Sequence, residues 1–277
     1  MSEHAGMSED AIRLDGRAVV ITGAGQGIGR CAALALAKAG GSIVVNDIDA
    51  AAAEAVVAEI AASGGRAVAA VAAIGTAEAA DLCVNAALDA FGRLDVMACN
   101  AGILRDRVLW NTTDEDFDAV VATHLRGTFT CARAAARHFR EQGEGGGLIL
   151  VSSMAGQRGN FGQTAYAAAK AGIAAFARTW SMELARANVT VNAIVPNAMT
   201  AMTATVPILK PYTEMTQGNI PFVKRVIGLG GDRLSVWAHP VEAAHAFRPG
   251  GWSAEAIADA VETDLAGARQ GVGIEFM

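Results

Sequence analysis

The chain has 277 residues, 52% of them hydrophobic, and a formal net charge of -6. This length suits one large domain or two small ones, and the apolar content is enough for a sizeable core. The acidic balance without a long basic run makes nucleic acid and acidic membrane surfaces poor partners. The four cysteines are scattered, with neither the spacing of a metal site nor that of a disulfide framework, so we expect no bound metal and a reducing compartment.

The chain begins with the polar stretch MSEHAGMSED, which lacks the apolar core of a signal peptide. No later window approaches the ~20 apolar residues of a membrane span. The sequence therefore predicts a cytoplasmic protein without a membrane partner.

The first predicted element is a buried strand, Leu14–Thr22, which ends in the apolar run AVVIT. The loop GAGQGIG (Gly23–Gly29) follows at once, and a helical pattern then runs to Gly40 and Gly41. This order is typical of a dinucleotide site, where glycines let the backbone approach a pyrophosphate that rests on the helix N-terminus. The alternative is that the glycines serve only a tight turn between strand and helix.

The second predicted strand, SIVVND, ends at Asp47, about 20 residues beyond the glycines, where an acidic residue can bind the adenosine ribose. A carboxylate repels a 2′-phosphate, and no arginine or lysine follows nearby to bind one. The sequence therefore predicts NAD rather than NADP. The alternative is that Asp47 caps the helix beginning near Ala50, although Asp49 could provide that cap instead.

The rest of the chain alternates between predicted strands and helices up to Pro196, the first of six prolines. In chain order we predict helix Ala50–Ser63, strand Arg66–Ile74, helix Thr76–Phe91, strand Leu94–Cys99, helix Asp114–Phe139, strand Leu148–Ser152, helix Tyr166–Asn188 and strand Val189–Val195. Such alternation predicts an α/β fold with one doubly wound parallel sheet and helices on both faces. We expect a single domain over residues 1–277, with a core at 11–231 and a C-terminal helical extension at 232–277.

One stretch carries a candidate acid and base. Ser153 directly follows the predicted strand Leu148–Ser152, at the edge where open α/β sheets place ligands. Tyr166 and Lys170 stand four residues apart in a helical pattern and so share a face. An ammonium group beside a phenol favours the phenolate and should lower the pKa of Tyr166, making it a general acid/base. Taken alone, the pair also fits two ordinary residues on a half-exposed helix.

Five motifs in this order, TGAGQGIG, CNAG, Ser153, YAAAK and VNAIVP, closely resemble the short-chain dehydrogenase/reductase family, from about Leu14 to Thr203. The resemblance implies a Rossmann sheet that binds NAD(P) and hydride transfer between the nicotinamide and a carbinol or carbonyl carbon. It also implies a homo-oligomer, dimer or tetramer, formed through the two helices that precede and contain the active-site tyrosine.

Carried over by position, the resemblance makes Tyr166 the acid/base, Lys170 the ligand of the nicotinamide ribose and Ser153 the partner of the substrate oxygen. It implies an NAD site formed by Gly23, Gln26, Gly27, Ile28, Gly29, Asp47, Ile48, Asn100, Ala101, Gly102, Tyr166, Lys170 and Pro196.

Three further stretches, Asn100–Arg107, His124–Phe129 and Gly159–Lys170, resemble the (3R)-hydroxyacyl-CoA dehydrogenase domain of peroxisomal multifunctional enzyme type 2 and its bacterial single-domain relatives. This implies a (3R)-3-hydroxyacyl-CoA as the small-molecule substrate, with a hydroxysteroid or a cyclic secondary alcohol as the alternative. A non-catalytic NAD-binding regulatory protein is the alternative of another class.

His124 stands where most of the family has the asparagine of a catalytic tetrad. A histidine that titrates near pH 6.5 could serve a proton relay there, and we include it among the candidate catalytic residues. The alternative is a helix histidine that bonds a backbone carbonyl.

Two other departures concern the cofactor and the lid. Ala73 and Ile74 replace the aspartate that relatives place near the adenine, which should weaken cofactor binding by about 1 kcal/mol. The segment 203–225 is short for the family and rich in proline, so it cannot hold two good helices. Either the lid is minimal and the site is open, or part of the relatives' segment is absent from this protein.

Beyond this segment, the aromatics Trp237, Phe247 and Trp252 are expected to dock a terminal helix, which begins at Ser253 or Ala254, onto the core or a neighbouring subunit. The alternative is that they contact the substrate.

Overall fold

The structure is a computed structural model that describes residues 13–196, 227–230 and 233–236. The predicted lid at 203–225 and nearly all of the predicted C-terminal extension lie outside the described residues. The strands are β1 (Ala18–Thr22), β2 (Ser42–Asp47), β3 (Arg66–Val71), β4 (Val96–Cys99), β5 (Gly146–Val151), β6 (Val189–Pro196), β7 (Ile227–Gly230) and β8 (Arg233–Val236). The α-helices are α1 (Gly27–Lys38), α2 (Ala50–Ala62), α3 (Ala77–Phe91), α4 (Asp114–Val121), α5 (Gly127–Gln142), α6 (Met154–Arg158) and α7 (Thr164–Glu183).

The described strands form one sheet in the order β3-β2-β1-β4-β5-β6-β7-β8. Every neighbouring pair from β3 to β7 is parallel, which confirms the doubly wound prediction. The strand order reverses direction between β1 and β4, so the carboxyl ends of these two strands border the crevice where such sheets bind ligands.

Two apolar clusters cover the two faces of the sheet. One includes Val20, Leu148 and Ile173 and packs α3, α5 and α7, and the other includes Ile21, Ile43 and Ile60 and packs α1 and α2. Helices on both faces explain why β1 is buried along its whole length rather than on alternate residues.

Short polar side chains determine where several helices begin. The side chains of Asp49, Thr76 and Thr113 each accept a hydrogen bond from a backbone N–H in the first turn of α2, α3 and α4, respectively. The helices α3 and α5 end at Gly92 and Gly143, both in the left-handed conformation that glycine adopts at low cost.

The fold departs from the sequence prediction in several places. The first strand begins at Ala18 instead of Leu14, α7 ends at Glu183 instead of Asn188, and the short helix α6 was not predicted. The third strand stops at Val71 instead of Ile74. The long helix expected over Asp114–Phe139 is interrupted by a π-helical turn, Ala122–Arg126, which inserts residues into the ladder and rotates the later helix. The strand β8 runs antiparallel to β7 and lies beyond residue 231, where the core was expected to end.

Candidate active site

The loop between β1 and α1 packs so closely against the adjacent backbone that there is no room for side chains at Gly23 and Gly29. Gly23 and Gly27 have φ angles of 62° and 57°. A Cβ on Gly23 would stand 2.7 Å from the Cα of Ala101, and one on Gly29 would overlap the carbonyl of Gly23. No side chain caps the start of α1, so its first N–H groups face the loop without a side-chain acceptor. Such a turn offers backbone donors to an anion.

Two polar residues tie this loop to the chain after β4. The hydroxyl of Thr22 accepts hydrogen bonds from the N–H groups of Asn100 and Ala101 at 3.0 and 3.1 Å. The amide of Asn100 donates to the carbonyls of Thr22 and Gly23 at 2.9 and 3.1 Å. The loops that follow β1 and β4 are therefore held as one unit at the carboxyl edge of the sheet.

Asp47 lies against the glycine loop at the end of β2. Its Oδ2 accepts from the N–H of Gly25 at 2.9 Å, and its Oδ1 accepts from the N–H of Asp49 at 3.1 Å. Asp49, not Asp47, caps α2 through the N–H of Ala52. The capping alternative for Asp47 is therefore wrong. The next side chain, Ile48, is 72% exposed, so an apolar surface borders the carboxylate.

Ser153, Tyr166 and Lys170 meet where β5 ends. Ser153 is the first residue of a turn into α6, with its hydroxyl accepting from the N–H of Ala155 at 3.2 Å, and it also bonds the Tyr166 phenol. Lys170 lies one turn after Tyr166 on α7, and its Nζ donates to the carbonyl of Val151 at 2.6 Å. The structure thus brings together the three side chains that the sequence placed in three separate elements.

The hydroxyl of Ser152 fastens α7 to the end of β5. It donates to the carbonyl of Lys170 at 2.7 Å, although this carbonyl already lies inside a helix. A Cβ on Gly156 would stand 2.5 Å from the backbone of Lys170, so α6 and α7 are in close contact. This packing buries the Lys170 side chain, which is 3% exposed.

The pKa of Tyr166 moves in the direction opposite to the one expected. Burial raises it above 10, and the bond from Ser153 offsets only part of that increase. Burial also lowers the pKa of Lys170 from 10.5 to about 7. The amine lies 5.5 Å from the centre of the phenol ring. Burial thus disfavours the charged form of both groups, and it opposes the lowering of the Tyr166 pKa that the helical spacing predicts.

His124 lies within the π-helical turn, and its side chain is 2% exposed. Its Nε2 is 2.8 Å from the carbonyl oxygen and 3.0 Å from the nitrogen of Ile103. Burial, with a smaller contribution from Lys170, lowers the pKa of His124 to about 3. The expected titration near pH 6.5 is therefore wrong, and the ring is neutral at physiological pH. Nε2 either donates to the Ile103 carbonyl or accepts from the Ile103 N–H, according to the tautomer, and a relay role stays a prediction.

The remaining predicted residues lie around the same edge. A Cβ on Gly102 would overlap the His124 ring, so this position admits only glycine. Pro196 ends β6, next to β5 and in register with Leu229 of β7. Gln26 and Ile28 belong to the glycine loop and the first turn of α1.

Sequence reasoning missed two residues beside Tyr166. Gln163 is 8% exposed, and its Nε2 donates to Oδ2 of Asp106 at 2.8 Å. The negative charge of Asp106 adds to the increase that burial causes in the pKa of the Tyr166 phenol. The only sequence signal was the position of both residues in the stretches Asn100–Arg107 and Gly159–Lys170, because 57 residues separate the two partners.

Among the described residues, no group of three or more His, Cys, Asp or Glu side chains could hold a metal ion. Within the same part of the chain, no helix is long and apolar enough to cross a membrane.

Comparison with known proteins identifies a family. A sequence model of the short chain dehydrogenase family matches residues 17–208. The chain is 45% identical over 204 residues to peroxisomal multifunctional enzyme type 2 of Mus musculus, an alignment that covers 70% of this chain but 27% of that protein. It is also 44% identical over 216 residues to a hydroxyacyl-CoA dehydrogenase of Mycobacterium tuberculosis, covering 74% of this chain and 68% of the other.

Solved structures agree with this assignment. A short chain dehydrogenase from Mycobacterium avium superposes with a TM-score of 0.86 at 37% identity, covering 95% of this chain and 99% of the other. A 7α-hydroxysteroid dehydrogenase in complex with NADH and 7-oxo glycochenodeoxycholic acid superposes with a TM-score of 0.69 at 32% identity, covering 74% and 81%. The matched region contains every described element of the site.

Proposed function

The chain belongs to the short-chain dehydrogenase family and is an oxidoreductase acting on CH–OH groups, and on this premise we propose that it interconverts a secondary alcohol and a ketone with NAD. The observation that carries the proposal is the meeting of Ser153, Tyr166 and Lys170 at the sheet edge that also holds the glycine loop. We assign to Tyr166 the role of acid/base, to Ser153 the binding of the substrate oxygen and to Lys170 the binding of the nicotinamide ribose.

The residues of the loop fit a dinucleotide. The uncapped start of α1 offers N–H groups to a pyrophosphate, and the excluded Cβ positions at Gly23 and Gly29 let the backbone approach it. The carboxylate of Asp47 beside Gly25 favours an unphosphorylated ribose and so supports NAD over NADP. The nearby cation Arg30 is paired with Glu59. When bound, the cofactor supplies the hydride acceptor.

In the direction of oxidation, the Tyr166 oxygen takes the hydroxyl proton of the substrate while the Ser153 hydroxyl holds the same oxygen in place. The raised pKa of Tyr166 makes the phenol a weak acid in the protein alone, so the positive charge of an oxidised nicotinamide would favour the phenolate. Lys170 remains fixed on the Val151 carbonyl, and its pKa of about 7 lets it exchange a proton in the physiological range.

We favour a (3R)-3-hydroxyacyl-CoA as the substrate. Support comes from the hydroxyacyl-CoA dehydrogenase of Mycobacterium tuberculosis and from the likeness to the multifunctional enzyme. The chain spans about a quarter of the mouse enzyme, so the activity of that whole protein is not carried over. A hydroxysteroid is the second candidate, which the similarity to the 7α-hydroxysteroid dehydrogenase favours.

The test is NADH formation from NAD with a panel of a (3R)-3-hydroxyacyl-CoA, a hydroxysteroid and a cyclic alcohol, alongside Tyr166→Phe. Thioester oxidation that falls by about 10²-fold or more in the variant would support the proposal. Oxidation of the steroid or cyclic alcohol alone would keep the mechanism and change the substrate. Binding of NADH without any turnover would favour a regulatory protein.

We also propose a dimer or tetramer formed through α5 and α7. Aromatic side chains of these helices lie side by side, since Phe176 stacks on Trp180 at 4.3 Å and Phe129, 38% exposed, lies 6.5 Å from Phe176. An apolar surface of this kind supports association with a second copy. Sedimentation would test it, and a monomer at micromolar concentration would contradict it.

For the compartment, we propose the cytoplasm. The buried cysteines Cys83, Cys99 and Cys131 are free thiols, as expected in a reducing environment. Fractionation of cells that produce the tagged protein would test this proposal, and secretion would contradict it.

A further inference from the structure

A small polar network connects the loop after β4 to the start of the helix that carries Tyr166. Gln163 stands at the N-cap position of α7 and does not cap the helix with its own side chain. Its Nε2 instead donates to Asp106 at 2.8 Å, and its Oε1 accepts from Asn160 at 3.0 Å. Arg107 forms a parallel β-bridge with Gln163, so backbone and side chains join the same two segments.

The neighbouring arginines do not neutralise Asp106. Arg105 and Arg107, on either side of it in sequence, both pair with Asp116 of α4, at 3.7 and 2.6 Å. Among the described residues, the polar contact of the Asp106 carboxylate is the neutral amide of Gln163. Because no adjacent cation in this part of the chain compensates the negative charge of Asp106, this charge can act on more distant groups of the site.

Asp106 is a solvent-exposed residue, yet the protein around its carboxyl group raises its pKa by removing water from one side. A carboxyl group of this kind is still ionised at the alkaline pH at which a phenol ionises. The charge of Asp106 therefore persists over the range in which Tyr166 loses its proton.

The titratable groups around the phenol come from its own helix and from two other segments. Lys170 lies one turn along α7, and His124 of the π-helical turn meets the phenol ring at 5.1 Å and is neutral. Asp106 follows β4, and its negative charge adds to the increase that burial causes in the pKa of Tyr166. Asp106 is the one acidic group among these three, and its bond to Gln163 holds it at the start of the helix that carries Tyr166.

We infer that Asp106 is a positioning residue of the site, which holds Gln163 at the start of α7 and fixes a negative charge beside the first turn of the helix that carries Tyr166. The inference rests on the proposed function, since it assigns Asp106 a part in setting the pH at which alcohol oxidation begins. Asp106 acts on Tyr166 through the network with Gln163 and need not contact the substrate.

The test uses the full chain with Tyr212→Phe, which leaves Tyr166 as the only tyrosine. The absorbance of tyrosinate is followed against pH with and without Asp106→Asn. An asparagine retains an oxygen that accepts from Gln163 but removes the charge, so the titration of Tyr166 should shift to lower pH. Gln163→Glu adds a carboxylate at the same place and should shift it to higher pH.

The matched control is Asp118→Asn, which removes a negative charge from the exposed side of α4 and should leave the titration unchanged. In NADH formation by the chain with both tyrosines, Asp106→Asn should move the acid limb to lower pH and raise the rate severalfold below its midpoint. An unshifted titration in Asp106→Asn and Gln163→Glu would overturn the inference. The titration of Tyr166 needs no turnover. If the protein oxidised no alcohol, the proposed function would be refuted, and the titration would still decide the inference about Asp106.

Discussion

The imidazole of His124 meets the phenol ring of Tyr166 edge to face, with ring centres 5.1 Å apart and an angle of 87° between the planes. The contact joins a π-helical turn to α7 across the site. It also helps to explain the depressed pKa of His124, because the ring lies in a closed space that Lys170 also borders. A histidine in this position packs against the acid/base as a neutral ring.

The buried His124 should make the protein sensitive to acid. In the unfolded chain its pKa is ~6.5, whereas in the folded chain it is about 3. Between these values the unfolded chain binds more protons, so the free energy of unfolding falls as the pH falls. In His124→Asn this contribution is lost, and the decrease in melting temperature between neutral pH and about pH 4 should be smaller.

The control for that measurement is His138→Asn on α5, whose ring is only partly buried and bonds Gln142. It should keep the wild-type slope of melting temperature against pH. An equal slope in His124→Asn and wild type would show that His124 is accessible to protons.

Asp47→Asn should weaken the discrimination against NADP. The amide oxygen can still accept from Gly25, so the loop is retained, while the charge that repels a 2′-phosphate is removed. We expect the ratio of NAD to NADP affinity to fall by about tenfold. Asp49→Asn is the matched control, since asparagine caps helices equally well and the ratio should not change. A ratio unaltered in Asp47→Asn would exclude the proposed ribose contact.

Gly29→Ala should destabilise the protein and impair cofactor binding. The added Cβ would overlap the carbonyl of Gly23 and stand 2.6 Å from the Asn100 amide, both of which belong to the fixed loop. A cost of about 1–3 kcal/mol in the free energy of unfolding is expected. Gly147→Ala in β5 is the control, because its Cβ would meet its nearest neighbours at 3.6 Å. Equal unfolding curves for both variants would contradict the close approach.

Ser153→Ala should combine a small loss of stability with a large loss of turnover. The hydroxyl caps α6 and bonds Tyr166, so its removal costs about 1 kcal/mol as a cap and on the order of a hundredfold in kcat as a partner of the reacting oxygen. Thr76→Ala removes a comparable cap from α3 and should reduce stability alone. A similar kcat for the two alanine variants would remove Ser153 from the mechanism.

The sequence by itself determined the elements of the site that depend on neighbours along the chain. The apolar run before Gly23, the glycine loop and the helical spacing of Tyr166 and Lys170 are local patterns, and the fold contains each of them. The choice between Asp47 and Asp49 as a helix cap stayed open, because both residues precede α2 and only the position of Gly25 decides it.

The tertiary structure alone decided the charge states of the site and its long-range contacts. The pKa values of Tyr166, Lys170 and His124 depend on how much water the packed helices remove, which no spacing in the sequence measures. The bond between Asp106 and Gln163 joins residues 57 positions apart. Local order follows from local sequence, whereas burial and electrostatics arise only when distant elements pack together.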